Sequence, residues 1–116
     1  MSSLLGPLTD ADLRRMMRRR YDLLGRFLDL ADKHDLPPLT WKVGNHALAG
    51  EAAQPAYADR RRAWEQWVTV LHLERWEPST SASGRTHLHA VSQDWQGSRV
   101  PVAVVADVFD EPGDGS

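Results

Sequence analysis

Cysteine is absent from this chain of 116 residues. That absence excludes disulfide scaffolds, thiolate-bound zinc and cysteine nucleophiles, and it agrees with a reducing interior. Long apolar runs are missing too. The longest is VPVAVVA, residues 100–106, whereas a membrane-crossing helix needs about 20 residues. The opening MSSLLGPLTDADLRR has neither the charged start nor the apolar centre of a secretory signal. A soluble, cytoplasmic protein with no membrane partner is expected. No GxGxxG or GxxxxGK[ST] phosphate loop, GxSxG elbow or HExxH zinc pair occurs, so no cofactor is implied. The excess of basic charge usual in a polyanion binder is lacking as well, since 14 basic residues face 16 acidic ones.

What is present begins with a long amphipathic helix. Thr9 is placed to cap it, with Asp12 three residues on, and Asp10 and Asp12 suit the positive end of its dipole. Leu13, Met16, Met17, Tyr21, Leu24, Phe27, Leu28 and Ala31 recur at three- and four-residue steps, and Pro37-Pro38 stops the helix between His34 and Leu36. LTWKVGNHALAG reads as a hairpin turning at Gly44-Asn45. A second helix, with Pro55 in its first turn, carries the stripe Tyr57, Trp64, Trp67, Val68 and Leu71 and ends near His72. LERWEP and RTHLHAV read as two strands joined by the turn STSASG. Arg99 to Phe109, RVPVAVVADVF, is apolar on both faces and reads as a central or covered strand, with Pro101 near its start.

The expected fold is therefore α+β in the order α-β-β-α-β-β-β: one mostly antiparallel sheet of about five strands with both helices on one face. Residues 1–109 form a single domain in this reading, and the acidic EPGDGS end, within 110–116, is a disordered tail. Helices on one face alone would leave the other face of RVPVAVVADVF as an exposed patch.

The run LRRMMRRRYDLL, Leu13 to Leu24, holds five arginines. Advancing about 100° per residue puts Arg14, Arg15, Arg18 and Arg19 on the wet side of the helix, beside Asp22 and Asp29. Arg20 falls inside the apolar stripe. There it must snorkel to solvent, meet a carboxylate, stack on an aromatic ring or enter an interface, and Arg60 is similarly placed on the second helix. Met16, Met17, Arg20 and Tyr21 make a candidate contact cluster, because methionine adapts to partners and arginine and tyrosine anchor interfaces. Trp95, in the polar loop SQDWQGS, is either a lid on the core or a further contact anchor; Trp41, Trp64, Trp67 and Trp76 read as core. His87 and His89 share one strand face and form a weak candidate metal pair, with His72, His46 or a carboxylate as possible third ligand. Ser79, Ser81 and Ser83 occupy a turn of small residues.

Three functions follow in order of preference. The first is a non-enzymatic interaction or regulatory module acting through a protein partner or as a homodimer. The second is a nucleic-acid-binding regulator using Arg14, Arg15, Arg18 and Arg19. The third is a small metal- or histidine-dependent enzyme. The segments LPPLTWKVG, RRAWEQWV, THLHAV and VPVAVVADVF together resemble a group of short actinobacterial proteins of the Streptomyces type, some linked to mobile or phage-like elements. That resemblance carries no activity and implies a cytoplasmic accessory protein. Arginine fills all but two basic positions, Lys33 and Lys42, which suits a GC-rich genome.

Overall fold

A computed structural model describes residues 7–44 and 47–109. The first helix, α1, spans Asp10–His34 and starts where the capping box predicts: the Asp12 amide donates to Thr9 Oγ1 at 3.1 Å and the Thr9 amide to Asp12 Oδ2 at 3.0 Å. It ends at Asp35 in the left-handed conformation, and the Leu36 amide reaches back to the Ala31 carbonyl at 2.9 Å. Strands β1 (Thr40–Val43) and β2 (Leu48–Ala52) form the expected hairpin. Asn45, where the hairpin was expected to turn, His46, and residues 110–116, expected as a disordered tail, lie outside the described residues. Helix α2 runs Tyr57–Leu71 with Ala56 as N-cap, so Pro55 precedes the helix instead of sitting in its first turn.

The remaining strands are β3 (Glu74–Arg75), β4 (Ser79–Thr80), β5 (Arg85–Ser92) and β6 (Val102–Phe109). The strand read over LERWEP is shortened to β3, and a sixth strand, β4, forms where STSASG was expected to turn. Ser79 and Thr80, read as turn, pair with His87 and Thr86 instead. Pro78, with no amide hydrogen to give the ladder, stands in the break. The order is β1-β2-β6-β5, with β3 and β4 both on the outer edge of β5. Among the described residues only the β2–β6 pair is parallel. The most apolar strand thus lies between two long neighbours, and the fold is α+β with a mostly antiparallel open sheet.

One face of that sheet holds the core. Val102, Val104, Ala106 and Val108 of β6, Leu88 and Ala90 of β5 and Leu48, Gly50 and Ala52 of β2 are all buried, two residues apart as strand geometry requires. Trp64, Trp67, Val68 and Leu71 of α2 and Leu23 and Phe27 of α1 cover them. Each buried tryptophan finds a carbonyl: Trp64 Nε1 donates to Val104 at 2.9 Å, Trp67 Nε1 to Pro37 at 2.7 Å and Trp95 Nε1 to Leu71 at 2.9 Å. Trp41 lies so close over Gly50 that a Cβ there would come within 2.8 Å of its ring. The glycine is required by that approach.

Candidate interaction surfaces

Helix α1 has a packed half and an uncovered half. Its only buried residues are Arg20, Leu23 and Phe27, and none of residues 10–19 is buried. Phe27 anchors the helix, meeting Trp95 edge-on at 4.9 Å between centroids and Trp41 at 5.6 Å. The buried line is one edge of the apolar stripe. The other edge is open: Leu13 is 49%, Tyr21 56% and Leu28 50% exposed. Met17 and Leu24, half-buried, complete that row. A shallow groove lined by Arg14, Met17, Arg18, Tyr21 and Asp22 runs along the same flank.

The structure sorts the sequence candidates. Met16 and Met17 are half-buried and Tyr21 is exposed, so these remain accessible in whole or part. Arg20 does not: at 6% exposure it neither snorkels to solvent nor presents its head to a partner. Trp95 is corrected in the same way. It is 3% exposed, with its indole on the Leu71 carbonyl, so it is a lid on the core and no contact anchor. Leu13 and Leu28, which periodicity alone assigned to the buried stripe, belong to the surface. The arc a helix buries is set by where the sheet ends, and hydrophobic spacing does not carry that information.

Arg14, Arg15, Arg18 and Arg19 are exposed, as their helical phase requires. Arg15 is engaged by Asp12. These cations share the first half of α1 with Asp10 and Asp12, and the exposed residues of its second half include Asp22, Asp29 and Asp32 together with Arg26 and Lys33. Positive charge is thus denser in the first half than in the second. Arg60, the second arginine in an apolar stripe, is satisfied within the chain: Nη1 donates to the Asp107 carbonyl at 3.1 Å, Nε donates to the Gln54 carbonyl, and the head lies over Tyr57.

The second surface is the sheet face opposite the helices. Ala49, Val91, Ala103 and Val105 are half-buried there, so the apolar patch expected from β6 exists but is built of small side chains and broken by polar ones. His87 stands opposite Asp107, and His89 opposite Val105. His87 Nδ1 and Asp107 Oδ1 are 2.8 Å apart. His89 stacks on Trp76, with centroids 4.5 Å apart and planes 13° apart. Trp76 is 49% exposed, which corrects its assignment to the core: it follows β3 at the sheet's edge, where it stacks on the His89 ring. Partial burial, then the neighbouring His87, holds His89 below the usual histidine range.

Ser79 faces His87 across the β4–β5 pair, completing an Asp–His–Ser row. Among the described residues no hydrogen bond joins Ser79 to His87, and the row lies on an open surface, so a nucleophilic triad is not assembled. Among the described residues there is also no group of three or more His, Cys, Asp or Glu side chains placed to hold a metal ion, and no helix long and apolar enough to cross a membrane. His72 caps α2, and His46 lies outside the described residues. No protein-family model, curated protein or solved structure matches the chain.

Proposed function

We propose that this protein is a non-enzymatic, cytoplasmic interaction module that self-associates through α1. The observation carrying this reading is the uncovered row Leu13, Met17, Tyr21, Leu28 on the helix. Residues 17, 21, 24 and 28 are spaced four, three and four apart, the spacing of a helix-pairing seam. Charge selects the orientation. In an antiparallel pair centred near residue 23, Tyr21 meets the second copy's Leu24, and Met17 its Leu28. The same register sets Arg14 and Arg18 beside the second copy's Asp32 and Asp29. A parallel pair would instead bring like charges together.

A seam of this kind is about 25 Å long at 1.5 Å per residue, which is small for an obligate dimer and suits a weak, concentration-dependent one. Sedimentation velocity over a wide concentration range tests it. The expected result is a monomer–dimer equilibrium that Leu28→Glu abolishes while the circular dichroism spectrum is unchanged, since Leu28 is half exposed in the monomer. Arg18→Asp should weaken the dimer, and adding Asp29→Arg should restore it. A strict monomer at every concentration, or a dimer indifferent to Leu28→Glu, would overturn the proposal. The nucleic-acid reading of the same helix gains nothing from its geometry, because Asp10, Asp12, Asp22, Asp29 and Asp32 are interspersed with its cations.

A further inference from the structure

We propose that His87 and His89 form a binding site for a divalent transition-metal ion that favours imidazole, of the zinc and copper(II) class, with Asp107 as the orienting group. Three features of the open sheet face lead there. First, the two rings project from alternate positions of β5 onto the same face, with centroids 5.6 Å apart. Metal–nitrogen bonds of about 2.0–2.1 Å place an ion about 3.2 Å from each ring centre, so this separation corresponds to an angle of about 120° at the ion, close to tetrahedral.

Second, the Asp107 contact occupies His87 Nδ1 at 2.8 Å. It fixes the tautomer and leaves Nε2 as the lone-pair donor, which is the carboxylate–histidine arrangement that accompanies imidazole ligands at metal centres. Third, Trp76 stacked on His89 limits the rotation of that ring, and neither His89 nitrogen has a hydrogen-bond partner among the described residues. The two rings are thus held near one another before an ion arrives, which lowers the ordering cost of chelation. The His87 side chain is 44% exposed, so an ion has direct access from solvent.

Two protein ligands make an open site. The other coordination positions fall to water or to a donor from a bound molecule, and the ion's affinity is modest beside a three- or four-ligand centre. Imidazole affinity rises from nickel and zinc toward copper(II), so copper(II) should bind most tightly. The site is on the face of the sheet away from α1 and does not depend on self-association.

Calorimetric titration of the full chain with zinc chloride, and separately with copper(II), tests this. One ion per chain is expected. His87→Ala or His89→Ala should each weaken binding at least about tenfold, and Asp107→Asn about 10–100-fold. The three side chains are partly exposed, and a circular dichroism spectrum checks that each variant folds. An independent measurement needs no variant: copper(II) at a low molar ratio should broaden the imidazole resonances of His87 and His89 before those of His34, His46 and His72. Absence of binding by both ions near neutral pH, affinity unchanged in either histidine variant, or first broadening at another histidine would overturn the proposal.

Discussion

Replacing Trp95 by alanine removes a nearly solvent-free indole from between α1 and α2. Its ring is edge-on to Phe27, Arg26 lies over it at 5.2 Å, and its Nε1 donates to the carbonyl of Leu71 at the end of α2. A buried tryptophan cut to alanine costs about 3–5 kcal/mol through lost transfer energy and the cavity left behind. Trp95→Phe keeps most of the volume but strands the Leu71 carbonyl, one of the terminal carbonyls the helix itself cannot satisfy, at about 1–3 kcal/mol. Domains are commonly stable by only about 5–15 kcal/mol, so the alanine variant loses a large share. With a urea slope of about 2 kcal/mol/M, the midpoint should fall by about 2 M for alanine and about 1 M for phenylalanine. Trp76→Ala is the matched control, since its ring is half exposed, and its midpoint should move by less than about 0.3 M. A Trp95→Ala shift no larger than that of Trp76→Ala would refute the assignment of Trp95 to the core.

Other outcomes follow from single contacts. His72 holds a left-handed conformation, φ 56°, at the end of α2; His72→Gly removes the Cβ penalty there and should stabilise the fold by about 0.5–1 kcal/mol, read as a raised thermal midpoint. Gly50→Ala drives a methyl into the Trp41 ring and the Leu39 side chain, and should destabilise by about 1–3 kcal/mol in the same assay. His89 is held below its ordinary value of 6.5 in the folded chain, so the unfolded chain takes up that proton first. Its contribution to stability is complete above 6.5 and is lost as pH falls through the lowered folded value. A proton NMR titration of the folded chain should give His89 a midpoint below 6.5, and one at or above 6.5 would contradict the partial burial.

Much of the fold was legible because local rules and packing agree. Thr9 and Asp12 mark the start of α1 through hydrogen bonds that close within four residues, and Pro37-Pro38 marks its end for steric reasons equally local. The apolar run of β6 already required cover and a central place in the sheet. The two histidines of β5 were bound to share a face by strand geometry alone. The Asp107–His87 contact was not legible, because it joins residues 20 positions apart and exists only in the register of β5 on β6.

The sequence by itself determined the class of the fold, the order of its elements and the side of α1 on which its arginines stand, since each depends on spacing within one segment. Tertiary structure decided which apolar and aromatic residues the protein keeps for itself. Trp95 and Trp76 both sit beside polar neighbours in the chain, yet one closes the core and the other lies on the sheet's edge. Phe27 and Leu28 belong to the same helical stripe, yet one is buried and the other half exposed. In each case burial depends on what lies across from the side chain, a property of the sheet's width and of the helix's position over it. No local pattern encodes either.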